Sequence, residues 1–433
     1  MEKSNTTKSK IIAVIISTVA ALLAVALVLS CILNPPRTNT ANGSPISDNS
    51  STVNSDFVSS VLTPVISEDT NSSSEESPTS SVESDVSREE PSSSSEKDTS
   101  SNTKPQQSKP TDLDSIKPLK SRHKVAKDSK EFNITLSFTG DMILATNENS
   151  YYSGSFAEYA KEKDPDYFLE KVRPIFEADD FTIVNLENVL TDRKLSPVYK
   201  DYSPAFWFKA PASNIKILSG SSIEGTLIAN NHIKDYGTEG YKDTIATIKK
   251  AGMLYGDESK IMYFEKGGYV ISVICAGLWG EWQANNIINL MKTAKKHSHY
   301  QVVMFHGGTE KIHAPEEWKR RAARKLVDNG ADLVVGGHPH VLQPRETYKG
   351  VEIVYSIGNF CYGGHRQPEN RTVIYQMSLT IDKNLKLKSS ESNIIPCYVY
   401  TGKLNNFQPA IVKDETIKKR ILDFMNGKIS SPV

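Results

Sequence analysis

The chain has 433 residues, 38% hydrophobic and 24% charged, with 51 Lys and Arg against 51 Asp and Glu. A formal net charge of zero argues against a nucleic-acid-binding protein, which carries a basic excess. The zero is a cancellation: residues 1–33 carry +2, 34–115 carry −9, 116–130 carry +5 and 131–433 carry +2.

Ile11 to Leu33 is an uncharged run of 23 residues, preceded by Lys3, Lys8 and Lys10 and stopped by Pro35-Pro36. As a helix it would reach about 34 Å, enough for a bilayer core. Basic residues before it and an acidic tract after it predict a single-pass anchor, with 1–10 a cytoplasmic tip and the remainder extracytoplasmic at the cell membrane. Two other readings stay open: a lipoprotein box ending at Cys31, and a cleaved signal. Residues 34–130 read as a disordered linker, because positions 41–110 hold 23 serines and Phe57 is their only aromatic. Such a segment buries too little apolar surface to offset chain entropy. Cys275, Cys361 and Cys397 show no paired spacing and read as buried small hydrophobes.

From residue 131 the texture changes to that of a folded domain, 131–433. Strands are expected at Asn133–Phe138, Phe181–Leu186, Gly225–Ala229, Met262–Glu265, Val270–Ala276, Gln301–Phe305, Leu333–Val335 and Val351–Tyr355. A hairpin is expected at Thr372–Ile381 and Leu385–Lys388. Helical spacing marks Asp164–Ala178, Ala212–Leu218, Thr238–Lys250, Asn285–Lys296, Pro315–Asn329 and Glu415–Met425. Alternation of strands with helices predicts an α/β domain. Its length favours two stacked sheets flanked by helices.

Five times an apolar strand runs into residues able to bind metal or phosphate: Asp141, Glu187, Asn231 with His232, His306, and His338 with His340. In α/β sheets, ligands bind beyond the carboxyl ends of strands. The mixture of carboxylate, amide and imidazole suits Mn, Fe or Zn better than an all-oxygen calcium site.

The segments Phe138-Thr139-Gly140-Asp141, Asn185-Leu186-Glu187, Ala229-Asn230-Asn231-His232, Asp235-Tyr236-Gly237, His306-Gly307-Gly308 with Glu310, Gly337-His338-Pro339-His340-Val341 and Ser356-Ile357-Gly358-Asn359-Phe360 resemble, in order, those of the CapA or poly-γ-glutamate capsule proteins. That family is similar to the calcineurin-like metallophosphoesterases. The resemblance implies a metallophosphoesterase-like layered sandwich behind the transmembrane helix and disordered linker. It implies one or two divalent ions: Asp141 and His340 on the first, Asn231, His306 and His338 on the second, and Glu187 bridging. The catalytic candidate is His232, near the substrate as general acid or electrostatic stabiliser. Lys209, in a segment resembling the family, and Arg345 are candidate contacts to an anionic substrate. Ile143 stands where the phosphoesterase pattern has histidine, which removes one ligand from the first metal. The implied function is synthesis, export or retention of an anionic capsule polymer, poly-γ-glutamate, with metal-dependent hydrolysis of a phosphoester or amide. The alternatives are a non-enzymatic accessory subunit of a membrane-bound synthase and a surface metallophosphoesterase. The implied partners are the membrane, the polymer and synthase subunits, with no nucleic acid.

Overall fold

The computed structural model describes residues 116–433. The core is built from strands whose side chains alternate between two buried faces. In Tyr269–Gly277, Ile271, Val273 and Cys275 enter a central cluster, while Ile274 and Ala276 enter an outer one. In Tyr300–His306, Val302 and Met304 face the centre, and Val303 and Phe305 the outside. The central cluster also takes Ile134, Leu136 and Phe138 from Glu131–Ile143, the long strand of the other large sheet. Truncating Ile271, Met304, Phe305, Ile134, Leu136 or Phe138 to Ala should cost on the order of 2–5 kcal/mol.

One sheet has seven strands. Its middle, Tyr269–Gly277, Tyr300–His306, Leu333–Gly337 and Val351–Ile357, is parallel, and Met262–Lys266 and Leu342–Tyr348 flank it antiparallel. The other sheet has eight. There Glu131–Ile143, Phe181–Leu186, Gly225–Leu227 and Leu254–Gly256 run parallel, whereas the hairpin Thr372–Asp382 and Leu387–Tyr398 adds on antiparallel. A third sheet has two short strands, Val189–Leu190 and Lys209–Ala210.

Helices cover the outer faces. Glu317–Asp328 buries Ala322, Ala323, Leu326 and Val327, the three-and-four spacing of one helix face. The expected helix Asp164–Ala178 is instead two, Asp166–Leu169 and Arg173–Ala178. Pro174 sits in the first turn of the second, where a missing N–H does no harm, and would break a continuous helix. Glu415–Met425 follows expectation to the residue, with Asp414 accepting from Thr416 N and Ile417 N at its start.

The expected fold class needs correction. In place of a metallophosphoesterase-like sandwich of two stacked sheets preceded by a transmembrane helix, the described residues form a mixed α/β domain of three sheets. No helix among them is long and apolar enough to cross a membrane. The expected span, 11–33, lies outside the described residues, as does the expected linker up to residue 115. The third sheet escapes a sequence reading because two-residue strands carry no periodicity. Residues 119–120 pair with the edge strand Met262–Lys266.

Candidate metal centre

The strand ends converge. Asp141, Glu187 and His306 offer one group of metal-type ligands, and Glu187, His338 and His340 a second that shares Glu187. Within each group the ligand atoms lie within 4.8 Å of one another. His306 Nε2 is 3.2 Å from Glu187 Oε1, 2.8 Å from Asn231 Oδ1 and 3.1 Å from His338 Nδ1. His340 Nδ1 is 3.2 Å from Asp141 Oδ2. His232 Nε2 points toward the same carboxylate, 4.0 Å from Glu187 Oε1.

Local backbone explains why these positions meet. His338 and His340 both have positive φ, 94° and 58°. Such strain in a non-glycine residue costs about 1–3 kcal/mol and persists where the surroundings enforce it. Pro339 between them limits the alternatives. Gly337 is required for contact, because a Cβ there would lie 2.7 Å from Asp141 Oδ1. At Gly140 a Cβ would lie 2.0 Å from Gly358 O. Its absence lets Asp141 N donate to that carbonyl at 2.9 Å.

Neighbouring amides aim the ligands. Asn185 Nδ2 donates to Asp141 Oδ1 at 2.8 Å and lies 2.9 Å from His306 Nδ1. Asn359 Oδ1 is 3.0 Å from His340 Nδ1, and its Nδ2 donates to His340 O. Asp235 Oδ2 is 2.7 Å from His232 Nδ1 and accepts from Phe208 N. Its Oδ1 meets Lys200 Nζ at 2.7 Å. Asp235 thereby fixes the tautomer of His232 and leaves Nε2 toward the cluster.

The charges are unusual for a closed core. Burial opposes ionisation of Asp141, yet hydrogen bonds and charge from His306 and His340 hold its carboxyl well below the ordinary range. Burial also disfavours charge on His306 and His340, but Glu187 and Asp141 push both up to about 9. His338 goes the other way: burial and the two neighbouring imidazoliums hold it well below the usual histidine range. Two buried carboxylates thus draw protons onto two imidazoles, a role a divalent cation fills by displacing them.

Whether a metal fits is decided at Glu187. The residue is fully buried, and what approaches its carboxylate is imidazole alone, His306 Nε2 at 3.2 Å nearest, with no Lys, Arg, amide or backbone donor on either oxygen. Burying such a group with no other donor is costly. Oxygens bare toward two imidazole-bearing groups match the donor set of a Mn, Fe or Zn site. Asp141, Glu187, Asn231, His306, His338 and His340 would hold one or two such ions.

The structure brings together all six expected ligands and His232. Lys209 and Arg345 are engaged elsewhere. Lys209 Nζ donates to Leu195 O at 3.0 Å and lies over the Tyr236 ring. Arg345 pairs with Glu352 at 2.8 Å and donates to Asn426. A cationic side chain finds the nearest anion or carbonyl, and sequence proximity to a motif did not reveal these partners. Ile143 is fully buried in an apolar cluster. Trp279, half exposed, stands edge-on to His338 with ring centroids 4.8 Å apart. A cavity of about 490 Å³ opens beside His232 and His340, with Phe206 and Phe208 on one wall and Glu310 and Glu369 on another. Asn185, Asp235 and Asn359 had no expected role, although each lies in a quoted motif segment. Their polar side chains within or just after strands were the signal.

Residues 135–363 match the family model described as "Bacterial capsule synthesis protein PGA_cap". The match covers more than half of the chain, and the chain belongs to that family. It is 29% identical over 314 residues to the PGA biosynthesis protein CapA of Bacillus subtilis (strain 168), covering 67% of this chain and 76% of that protein. It is 26% identical over 329 residues to the capsule biosynthesis protein CapA of Bacillus anthracis, covering 69% of this chain and 75% of that one.

Proposed function

We propose that this protein serves the synthesis of an anionic capsule polymer, poly-γ-glutamate, as a metal-dependent hydrolase acting on an amide or phosphoester bond. Membership of the capsule synthesis family supports the first half. One observation carries the second: the fully buried Glu187 carboxylate is approached only by imidazoles, His306 Nε2 at 3.2 Å, His340 at 3.9 Å and His232 at 4.0 Å, with Asp141 and His338 completing the cluster. Placement of the domain outside the cytoplasm is part of the proposal and rests on the charge distribution of residues 1–130.

A divalent cation held there would polarise an acceptor oxygen and make water a stronger nucleophile. The chain's own residues do the rest. Asp235 holds the His232 ring through Nδ1; in the imidazolium form, with both ring nitrogens protonated, Nε2 can hand its proton to a leaving nitrogen or oxygen and the ring returns to the neutral Nδ1–H tautomer. Asn359 and Asn185 keep His340 and His306 oriented. Phe206 and Phe208 give the adjoining cavity apolar lining next to His232.

Metal analysis of the purified full chain, with assays on γ-linked polyglutamate and on chromogenic phosphoesters with added Mn, tests this reading. One or two equivalents of Mn, Fe or Zn are expected. His232→Ala should abolish turnover without removing metal. A chain that retains no metal, or turnover indifferent to His232→Ala, would sink the enzymatic reading.

Ile143 favours a second reading. Its apolar side chain supplies no ligand at the first strand end. The site would then hold a cation for structure, in an accessory subunit of a synthase. That reading expects bound metal, no turnover on any substrate, and polymer output that survives His232→Ala.

A further inference from the structure

The strand Asn359–Tyr362 runs parallel to Glu131–Ile143, with Asn359 opposite Asp141 and Tyr362 opposite Ile143. Three steps on one strand match two on the other, so the former carries an extra residue, a bulge. In a regular strand, residues three apart face opposite sides. The bulge instead brings both Asn359 and Tyr362 to the cavity, while Phe360 and Cys361 between them are fully buried.

The Tyr362 ring lies 5.1 Å from the His340 ring. Its hydroxyl makes no hydrogen bond among the described residues, and Tyr362 lines the cavity together with His232, Glu310 and His340. A mostly buried phenol ordinarily finds a partner. Gly364 leaves room at the hydroxyl end of the ring: a Cβ there would lie 2.8 Å from the ring and 2.9 Å from the hydroxyl. Tyr362 thus supplies a donor at the register position where Ile143 offers nothing polar.

We propose that the Tyr362 hydroxyl contacts the substrate, donating a hydrogen bond to an oxygen of the group bound beside His340 and Glu187. This rests on the reading of the cluster as a metal centre with a substrate cavity. The ligand class is one that presents an acceptor oxygen there, a phosphoryl group or the carbonyl or carboxylate of a glutamyl unit. A hydrogen bond donated to a charged oxygen is worth about tenfold or more in affinity.

The test is Tyr362→Phe in the full chain, loaded with Mn and titrated separately with inorganic phosphate and with γ-glutamylglutamate. The dissociation constant should rise about tenfold for at least one probe, with metal content and thermal midpoint unchanged. Loss confined to phosphate identifies a phosphoryl ligand, and loss confined to the dipeptide a glutamyl one. Gly364→Ala, which displaces the ring but keeps the hydroxyl, should reproduce the effect. Retained metal with both constants unchanged in Tyr362→Phe overturns the assignment of Tyr362 alone, as does a metal-loaded wild type that binds neither probe. A wild-type chain that binds no metal overturns the reading of the site and this proposal with it.

Discussion

Two buried acidic clusters lie at opposite ends of the same strands. Asp179, Asp180 and Glu224 precede Phe181–Leu186 and Gly225–Leu227, and Glu187, Asn231 and His232 follow them. At the leading end the chain supplies its own donors. Arg122 Nη1 pairs with Glu224 at 3.0 Å and Lys266 with Asp180 at 2.8 Å. Thr182 N donates to Glu224, Thr182 Oγ1 to Asp179, and Ser121 Oγ to Asp180. At the trailing end, among the described residues, no Lys or Arg pairs with Asp141 or Glu187. Asp141 accepts from Asn185 Nδ2 and from His338 N, and only histidine side chains approach Glu187. Burial is common to both clusters, so burial does not mark a ligand site. What separates them is where the compensating charge originates. The leading cluster is met by Arg122 and Lys266 of the chain itself, whereas imidazoles are the only cationic groups at the trailing one, the place where the proposed cation would sit.

The largest effect expected from this contrast is on metal binding. Glu187→Gln or His338→Ala should weaken Mn or Zn affinity by on the order of 100-fold or more, measured by titration calorimetry. Chelation should lower the thermal midpoint of the wild type, because a ligand of the native state alone stabilises it. It should leave the Glu187→Gln midpoint unmoved. If both variants bind metal as the wild type does, the contrast between the clusters fails.

Arg122→Ala should act on stability alone. It strips the partner from Asp179 and Glu224 and should cost about 2 kcal/mol at pH 8, discounted for the partial exposure of Arg122. The cost should be smaller at pH 5, where both carboxyls are protonated. Urea midpoints at the two pH values measure this, and metal affinity should not change.

A second effect at the same cluster follows from burial, which pushes the carboxyls of Asp179 and Glu224 up to about 7 despite Arg122. Both values are raised above those of the unfolded chain, so the native state binds more protons. Their contribution is therefore full below pH ~4 and lost as pH rises to about 7. Stability should decline across that window, and Asp179→Asn should flatten the slope. A wild type whose urea midpoint rises steadily from pH 5 to 7.5 would contradict the assignment.

The smallest expected changes are at the peripheral cations. Lys209→Ala should leave metal affinity within twofold. Arg345→Ala should cost about 1 kcal/mol of stability through its lost pairing with Glu352, again with metal retained.

Sequence alone determined the strands that carry the site and the order of their polar ends. A five- or six-residue apolar run that stops at Glu187 or His306 has few other ways to bury itself. The motif residues declare their chemistry by type, so Asp141, Asn231, His338 and His340 were legible before any contact was known. Pro174 marked a helix boundary that spacing alone had missed. What only the tertiary structure decided is which polar groups are left without partners. Arg345 and Lys209 share the charge that a substrate contact needs, yet Arg345 is paired with Glu352 on the neighbouring strand and Lys209 Nζ donates to the Leu195 carbonyl. Glu187 and Tyr362 are the reverse case: only imidazoles approach the Glu187 oxygens, and the Tyr362 hydroxyl makes no hydrogen bond among the described residues. Hydrogen bonding is short-ranged and directional, so vacancy is a property of three-dimensional neighbours and no local pattern of residues encodes it.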